Sequence, residues 1–371
     1  MTDEQSSLVL VERGPSCGLL TLNRPEAMNA LSLAMIRCLM QALLQWRDDP
    51  RVAMVALRGS NKSGAPGTPE RWFGHFCAGG DIRFFHDAAL AGDASLEDFF
   101  TEEYALNHLI QTYPKPIVAF MDGVVMGGGM GLCQGIARRV VTEKTKMAMP
   151  ETKIGLFPDV GGGHFLSRCP GHVGEYLALT GDVIGADEAI RYGLADCRRT
   201  SSELPAIWQR LATLTVEGAQ AARDWLEAHL PATAVPWQPD AAVEAAFSQR
   251  SVLQIVQHLE AAEDEQSRQT AQALRQRSPL MLHVALEQVR RARGMSLADE
   301  LRMERDMVWH CFHHRPVRES ETVEGIRALA VDKDHQARWS PPRIEEVDPD
   351  EVRAFFRSPW PVSDHPLKGL D

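Results

Sequence analysis

The sequence lacks the features that mark secreted and membrane-spanning proteins. Its seven cysteines are scattered, odd in number and never in CxxC spacing, which argues against a disulfide framework and favours reduced thiols. Apolar runs such as residues 117–121 and 123–130 fall far short of the roughly 20 residues of a spanning helix. The first residues, MTDEQSS, contain neither the basic nor the apolar region of a leader. We therefore expect a cytoplasmic protein with no membrane partner.

Positive charge is also in short supply. The chain has 39 Lys and Arg residues against 50 Asp and Glu residues, a formal net charge of -11. This balance argues against nucleic acid as the main partner, because phosphate binding needs concentrated positive charge. A small anionic ligand remains possible, since such a site needs only a few cations or helix N-termini. The 371 residues, 44% of them hydrophobic, provide enough material for a sizeable core.

The first half of the chain alternates strand-like and helix-like patterns. Short β-rich runs bounded by Gly and Pro predict strands, and apolar residues at helical spacing predict helices. The predicted strands are Leu8–Glu12, Gly18–Leu22, Val52–Arg58 and Ile117–Met121, and the predicted helices are Leu31–Trp46 and Phe99–Tyr113. Strands separated by helices favour an α/β arrangement of ββα-like units.

The composition changes after residue 198. Residues 203–293 are rich in Ala, Leu, Gln, Glu and Arg at helical spacing, interrupted only around residues 231–239, and a further helix is predicted over Leu297–Cys311. We therefore expect a catalytic core over residues 1–200. Residues 201–371 are expected to form a mainly helical C-terminal region that covers the substrate and contributes possible subunit contacts.

Two glycine-containing segments are candidates for binding an oxyanion. Phe76–Ile82 reads FCAGGDI, and the glycine triplet Gly127–Gly129 follows a predicted strand and opens a helix-like run. Small residues let the backbone approach a ligand and present its N–H groups. Taken alone, the Gly79–Gly80 pair favours a tight turn, and the glycine triplet is as consistent with close helix packing as with oxyanion binding.

A third segment, Met149–Gly163, carries two carboxylates among apolar residues. Glu151 and Asp159 are separated by Ile154, Leu156 and Phe157, which predict a partly desolvated setting. Desolvation raises the pKa of a carboxyl group toward values useful in acid–base catalysis. The structural alternative is that Asp159 caps the N-terminus of a helix that follows it.

Taken together, FCAGGDI, GVVMGGGMGL and PETKIGLFPDVGGG resemble, in order and spacing, the signature segments of the crotonase (enoyl-CoA hydratase/isomerase) superfamily. The N-terminal segment NRPEAMNAL is similar to another of its motifs. The resemblance implies an α/β fold, a spiral of ββα units followed by a C-terminal helical region. It also implies an acyl-CoA substrate, with coenzyme A as part of the substrate and no separate cofactor.

The resemblance also implies roles for individual residues. Backbone N–H groups of Gly80 and Gly128 would bind the thioester oxygen. The residues that would lie near the CoA adenine are Ala27, Met28, Ala78 and Ile82.

Side chains at three acidic positions distinguish the members of the superfamily. Hydratases resemble one another in a glutamate at the position of Gly131, so the acid pair needed for hydration is incomplete here. Asp159 stands where hydratases usually have glycine. Glu151 with Asp159 and Glu103 of the segment FFTEEY are similar to the substrate-lining acids of 3-hydroxyisobutyryl-CoA hydrolases, which act in valine degradation.

The expected reaction is therefore thioester hydrolysis of a β-hydroxyacyl-CoA, including 3-hydroxypropionyl-CoA. Glu151 would serve as base or nucleophile, and Asp159 and Glu103 would orient the reacting groups. The alternatives are an enoyl-CoA hydratase or dienoyl-CoA isomerase of the same superfamily, or a non-catalytic acyl-CoA-binding protein. We expect no metal, and His310 with His314 on one helical face is a poor zinc site because it lacks completing ligands. A homo-oligomer is possible.

Overall fold

The computed structural model describes residues 8–63 and 68–371, and the strands within these ranges form two sheets. Two segments lie outside the described residues. They are residues 1–7, on which the expectation about a leader depends, and residues 64–67. The strands are β1 Val9–Arg13, β2 Cys17–Leu22, β3 Met54–Gly59, β4 Ile117–Met121, β5 Val124–Met126, β6 Arg138–Val141, β7 Lys146–Ala148 and β8 Cys197–Arg198.

The larger sheet is mainly parallel. Its strand order is β1-β2-β3-β4-β6-β8, and β5 with β7 forms a separate two-stranded parallel sheet. β1 and β2 pair antiparallel, with Val11 opposite Leu20, and the other described strands of this sheet pair parallel. Ala56 of β3 is in register with Leu19 on one side and Val118 on the other. All residues of β2, β3 and β4 are buried, as expected for parallel strands covered on both faces.

Helices occupy most of the remaining chain. The α-helices are α1 Leu33–Arg47, α2 Pro69–Trp72, α3 Ile82–Ala91, α4 Ser95–Gln111, α5 Gly128–Gln134, α6 Gly162–Leu166, α7 Val173–Thr180, α8 Ala186–Arg191, α9 Leu204–Ala212, α10 Gly218–His229, α11 Ala241–Phe247, α12 Val252–Ala261, α13 Glu265–Arg275, α14 Pro279–Ala292, α15 Leu297–His313, α16 Glu321–Ile326 and α17 Pro349–Ala354.

The chain divides into two compact units, and each is assembled from separate stretches of sequence. Unit 1 comprises Met1–Gly80, Ala105–Ala148 and Val183–Pro236, and unit 2 comprises Asp81–Tyr104, Met149–Asp182 and Trp237–Asp371. The boundary falls within α4. The predicted division of roles at residue 200 stays a prediction, because packing units do not test which part carries chemistry.

The core of unit 1 lies against the larger sheet. Trp208 of α9 and Phe120 of β4 are buried there, and Phe73 packs edge-on against both rings, at centroid distances of 6.0 and 5.8 Å. Phe73 lies between β3 and β4, shortly before His75. Because of these ring contacts, its side chain is part of the hydrophobic core of unit 1.

Unit 2 is built around aromatic side chains. Phe85 of α3 packs against Phe99 and Phe100 of α4, at centroid distances of 4.8 and 4.9 Å. Phe100 also contacts Phe312 of α15 at 5.7 Å. The fully buried Arg305 of α15 donates to the Thr101 hydroxyl at 2.9 Å and forms an ion pair with Glu97. These contacts hold residues 97–101 of α4 in place, and Glu103 and Tyr104 follow in the next turn of the same helix.

The predicted elements are present, and their ends differ from the predicted ones by at most four residues. The expectation that helical structure over residues 203–293 is interrupted only around residues 231–239 was wrong. Separate helices follow one another throughout this range. Ser251, Asp264 and Ser278 each accept a hydrogen bond from a backbone amide of the first turn that follows. Such N-caps begin new helices without a change in overall composition.

Candidate active site

Unit 1 places the AGGD segment beside the glycine turn. Cys77 forms a parallel bridge with Val125, where its amide donates to the Val124 carbonyl and its carbonyl accepts from Met126, both at 3.0 Å. Gly79, with φ of 99°, lies so close to the turn that a Cβ atom there would be 3.6 Å from the Gly128 nitrogen. The sequence motifs therefore meet at the edge of the small sheet.

Gly80 and Gly128, the two predicted oxyanion donors, keep their amide groups available. Within residues 8–63 and 68–371, neither N–H donates to another protein group. Gly128 is the first residue of α5, where an N–H has no intrahelical acceptor. Both residues belong to unit 1, and binding of an oxyanion by them stays a prediction.

Three of the four residues predicted to lie near an adenine are also in unit 1. Ala27 ends a short 3₁₀ helix, and Met28 follows it with φ of 50° and is 45% exposed. The carbonyl of Met28 accepts from the Ala78 amide at 3.1 Å, which brings these two segments together. Ile82 begins α3 in unit 2.

Glu151 begins a short 3₁₀ helix in unit 2 that is fixed at both ends. The carbonyl of Thr152 accepts from the Ser278 amide at 3.1 Å, and the carbonyl of Gly155 accepts from the Thr322 hydroxyl at 2.6 Å. The Glu151 side chain is 6% exposed, and within the described chain its Oε2 atom has no hydrogen-bond partner. A buried carboxyl oxygen without a hydrogen-bond partner destabilises the fold, so a purely structural role would not account for this arrangement.

Three acidic side chains predicted from the motifs come together in unit 2. Glu103 of α4 and Asp159 are 2% and 5% exposed. Burial raises the pKa of Glu103 well above its ordinary value, and the charges of Asp159 and Glu151 raise it further. Burial, followed by the charge of Asp159, also raises the pKa of Glu151. Carboxyl groups held in this way are suited to accepting or donating protons near neutral pH.

Tyr104 is a member of this cluster that the sequence analysis did not single out. Its fully buried hydroxyl donates to Oδ2 of Asp159 at 2.7 Å. Burial raises the pKa of Asp159 to about 6, while the hydrogen bond from Tyr104 acts in the opposite direction. Burial, followed by the charge of Asp159, raises the pKa of Tyr104, so its hydroxyl remains a donor.

The structural alternative for Asp159, a helix cap, is wrong. The N-cap residue of α6 is Gly161, and the amides of Gly161 and Gly163 donate to Oε2 and Oε1 of Glu304, at 2.7 and 3.1 Å. Glu304 lies in α15, more than 140 residues later in the sequence. The Asp159 side chain is directed to Tyr104 instead.

Gln288 and Glu300 complete the polar group behind this turn. The Gln288 side-chain amide donates to the Pro158 carbonyl at 2.7 Å and to Oε1 of Glu304 at 2.8 Å. All three side chains are fully buried. Burial raises the pKa of Glu300 to about 7, and burial together with the Glu300 charge raises that of Glu304 well above its ordinary value.

Neither a metal centre nor a membrane-spanning helix is found among the described residues. No group of three or more His, Cys, Asp or Glu side chains in residues 8–63 and 68–371 is arranged to hold a metal ion. His310 and His314 are neighbours on α15, with ring centroids 5.9 Å apart. Over the same ranges, helices are too short or too polar to cross a membrane.

Comparisons with known proteins point to the same family as the sequence motifs. Residues 17–356 match the family model described as enoyl-CoA hydratase/isomerase. A protein of Xenopus tropicalis named 3-hydroxyisobutyryl-CoA hydrolase, mitochondrial, is 38% identical over 94% of this chain and 88% of its own length. A Gallus gallus protein of the same name is 36% identical over 99% of this chain and 92% of its own length.

A solved structure is similar over nearly the whole chain. It is described as a carnitinyl-CoA dehydratase from Mycobacterium thermoresistibile, with a TM-score of 0.82, 34% identity, and coverage of 98% of this chain and 99% of that one. The predicted α/β fold class with a helical C-terminal region is confirmed.

Proposed function

Because this chain belongs to the enoyl-CoA hydratase/isomerase family, we propose that it hydrolyses 3-hydroxyisobutyryl-CoA, and 3-hydroxypropionyl-CoA as a second substrate. This is a step of valine degradation. Water adds to the thioester carbonyl carbon, the carbon–sulfur bond breaks, and the thiolate of CoA takes up the proton. The relatives named 3-hydroxyisobutyryl-CoA hydrolase support this substrate.

The observation that carries the proposal is the buried acidic cluster of Glu103, Glu151 and Asp159. Gly131 stands in place of the second acid that hydration requires. A protein that only binds acyl-CoA gains nothing from desolvated carboxyl groups, which destabilise its fold. The cluster therefore favours an enzyme over a binding protein, and hydrolysis over hydration.

We assign the catalytic roles as follows. The amides of Gly80 and Gly128 donate to the thioester oxygen as it gains negative charge, and each such donor contributes roughly 3–4 kcal/mol to transition-state stabilisation. Glu151 acts on the attacking water as a general base, or attacks the carbonyl itself to give an anhydride that water then opens. Asp159 and Glu103 hold the β-hydroxyl and the attacking group.

The CoA portion of the substrate is assigned to backbone near the N-terminal segment. In this assignment the adenine lies against Ala27, Met28, Ala78 and Ile82. Support comes from the hydrogen bond between Ala78 and Met28 and from the exposure of Met28. CoA arrives with the substrate, so the proposal includes no separate cofactor and no metal.

We also propose a location and a set of partners. The composition supports a cytoplasmic protein without nucleic-acid or membrane partners, whereas two relatives are named as mitochondrial proteins. A homo-oligomer is compatible with the sequence. Cell fractionation and light scattering would test these points separately.

The deciding experiment is a comparison of products from a panel of CoA thioesters. We expect release of free thiol from 3-hydroxyisobutyryl-CoA and 3-hydroxypropionyl-CoA. The solved relative described as a dehydratase makes hydratase activity the second candidate. Rapid loss of the crotonyl-CoA double bond without thiol release would establish that candidate instead, and binding of CoA without turnover would indicate a binding protein.

A further inference from the structure

A backbone conformation next to Asp159 is unfavourable for the residue that adopts it. Val160 is buried and has φ of 59°, in the left-handed region. A β-branched residue is rare there, and its side chain makes the conformation considerably strained. Such strain persists only where surrounding contacts hold the backbone in place.

Glu304 and Gln288 supply those contacts on both sides of Val160. Before it, the Pro158 carbonyl accepts from the Gln288 side chain at 2.7 Å. After it, the Gly161 amide donates to Glu304 at 2.7 Å. Since Gln288 also donates to Glu304 at 2.8 Å, the two side chains form one support behind the turn.

The burial of this support is difficult to explain by stability alone. Glu304 and Glu300 are both fully buried, and in the described part of the chain no Lys or Arg side chain hydrogen-bonds to either carboxyl group. Buried carboxyl groups without a cation destabilise a fold relative to apolar side chains of similar size. Their position beside the Asp159 turn offers a functional reason for the cost.

We propose that Glu304 and Gln288 are positioning residues, which hold the Pro158–Gly163 turn in its strained conformation and so direct the Asp159 carboxyl group to Tyr104. The role of Asp159 in catalysis rests on the proposed hydrolase function. The geometry of the turn does not depend on that function, and the two parts can be tested separately.

Glu304→Gln tests the support with little change in shape. An amide has a single oxygen, so it cannot accept from both Gly161 and Gly163. We expect kcat for thiol release to fall about 10–100-fold, because a displacement near 1 Å costs on the order of 100-fold in rate. KM should change less than kcat, since the CoA portion of the substrate is assigned to other residues and only the contact of Asp159 with the β-hydroxyl is altered. A crystal structure of the variant should show the 2.7 Å contact between Tyr104 and Asp159 lengthened or lost.

A second change separates positioning from general damage. With glycine at position 160 the left-handed conformation is no longer strained, so Val160→Gly should restore much of the lost kcat in the Glu304→Gln background. Glu175→Gln is the matched control, because Glu175 is similarly buried in unit 2 but its carboxyl group pairs with Arg293 and His172. It should lower thermal stability and leave kcat unchanged.

Unchanged kcat in a folded Glu304→Gln protein, or an unaltered Tyr104–Asp159 contact in its crystal structure, would overturn the proposal. Were Glu304→Gln not to fold, Gln288→Met would replace it, since this variant removes the donor to Pro158 and should give the same loss of kcat and the same rescue. If wild-type protein released no thiol from any thioester, the proposed function would fail, while the crystal structures would still decide whether Glu304 and Gln288 hold the turn.

Discussion

Replacing Tyr104 by phenylalanine removes one oxygen atom and keeps the buried ring. The hydroxyl donates to Oδ2 of Asp159 at 2.7 Å and stabilises the ionised carboxyl group. Its removal therefore raises the pKa of Asp159 above the present value of about 6. A hydrogen bond to a charged group contributes roughly 1.5–3 kcal/mol, and one pH unit corresponds to about 1.4 kcal/mol. The expected rise is thus roughly 1–2 pH units.

The assay is thiol release from 3-hydroxyisobutyryl-CoA as a function of pH. If the ionised form of Asp159 is required, kcat/KM falls as the pH drops through its pKa. The acid limb of the profile should then move to higher pH in the variant, by the same roughly 1–2 pH units. At pH well above the new pKa, the two proteins should approach each other in rate.

Tyr113→Phe is the matched control for this change. Its hydroxyl is also buried and donates at 2.7 Å, but to the backbone carbonyl of Leu43 in unit 1. The control should lose about 1 kcal/mol of stability and keep the wild-type acid limb. An acid limb that does not move in Tyr104→Phe would refute the assignment of Asp159 as a group that must be ionised.

Two further substitutions test the catalytic assignments, and a third is a control for the second. Glu151→Gln keeps the shape of the side chain but cannot accept the proton, so kcat should fall about 100-fold or more, while CoA binding measured by calorimetry is retained. Wild-type turnover would show that Glu151 is structural. Gly79→Ala places a Cβ atom 3.3 Å from the Met126 carbonyl at φ of 99°, and should lower both kcat and stability by moving the AGGD segment. Gly92→Ala, with φ of 64° and open space around it, should lower stability alone.

Local sequence patterns predicted strands and helices well where the residues of the segment itself determine its structure. The strand Ile117–Met121 was predicted with the bounds that the structure gives, because five consecutive apolar residues follow a Pro-Lys-Pro segment. The helix predicted from Leu31 begins instead at Leu33, since the Ser32 hydroxyl accepts from the Met35 amide. A serine at this position is a cap signal that the periodicity alone did not use.

The acidic cluster was predictable only in part. Motif order identified Glu103, Glu151 and Asp159, and the structure brings these side chains together in unit 2. Glu304 could not be paired with the Gly161 turn, because no local pattern connects residues more than 140 positions apart. One signal was present, since Glu304 occupies the same helical face as Leu301 and Val308, where a core residue is expected.

The burial of Glu300 and Glu304 in α15 leads to a prediction about folding stability that does not depend on catalysis. Burial raises the pKa of Glu300 in the folded protein from an ordinary value of 4.5 to about 7. The unfolded chain therefore loses this proton first, and folding stability falls as the pH rises from about 4.5 to about 7. At about 1.4 kcal/mol per pH unit, the loss amounts to about 3 kcal/mol.

Glu300→Gln cannot ionise and should escape this loss. Urea unfolding of both proteins at a series of pH values should give similar stabilities near pH 4. The stability of the variant relative to wild type should then increase by up to about 3 kcal/mol at pH 8. A constant difference between the two proteins across this range would mean that the pKa of Glu300 is the same in the folded and unfolded states, and the predicted loss of stability would then be wrong.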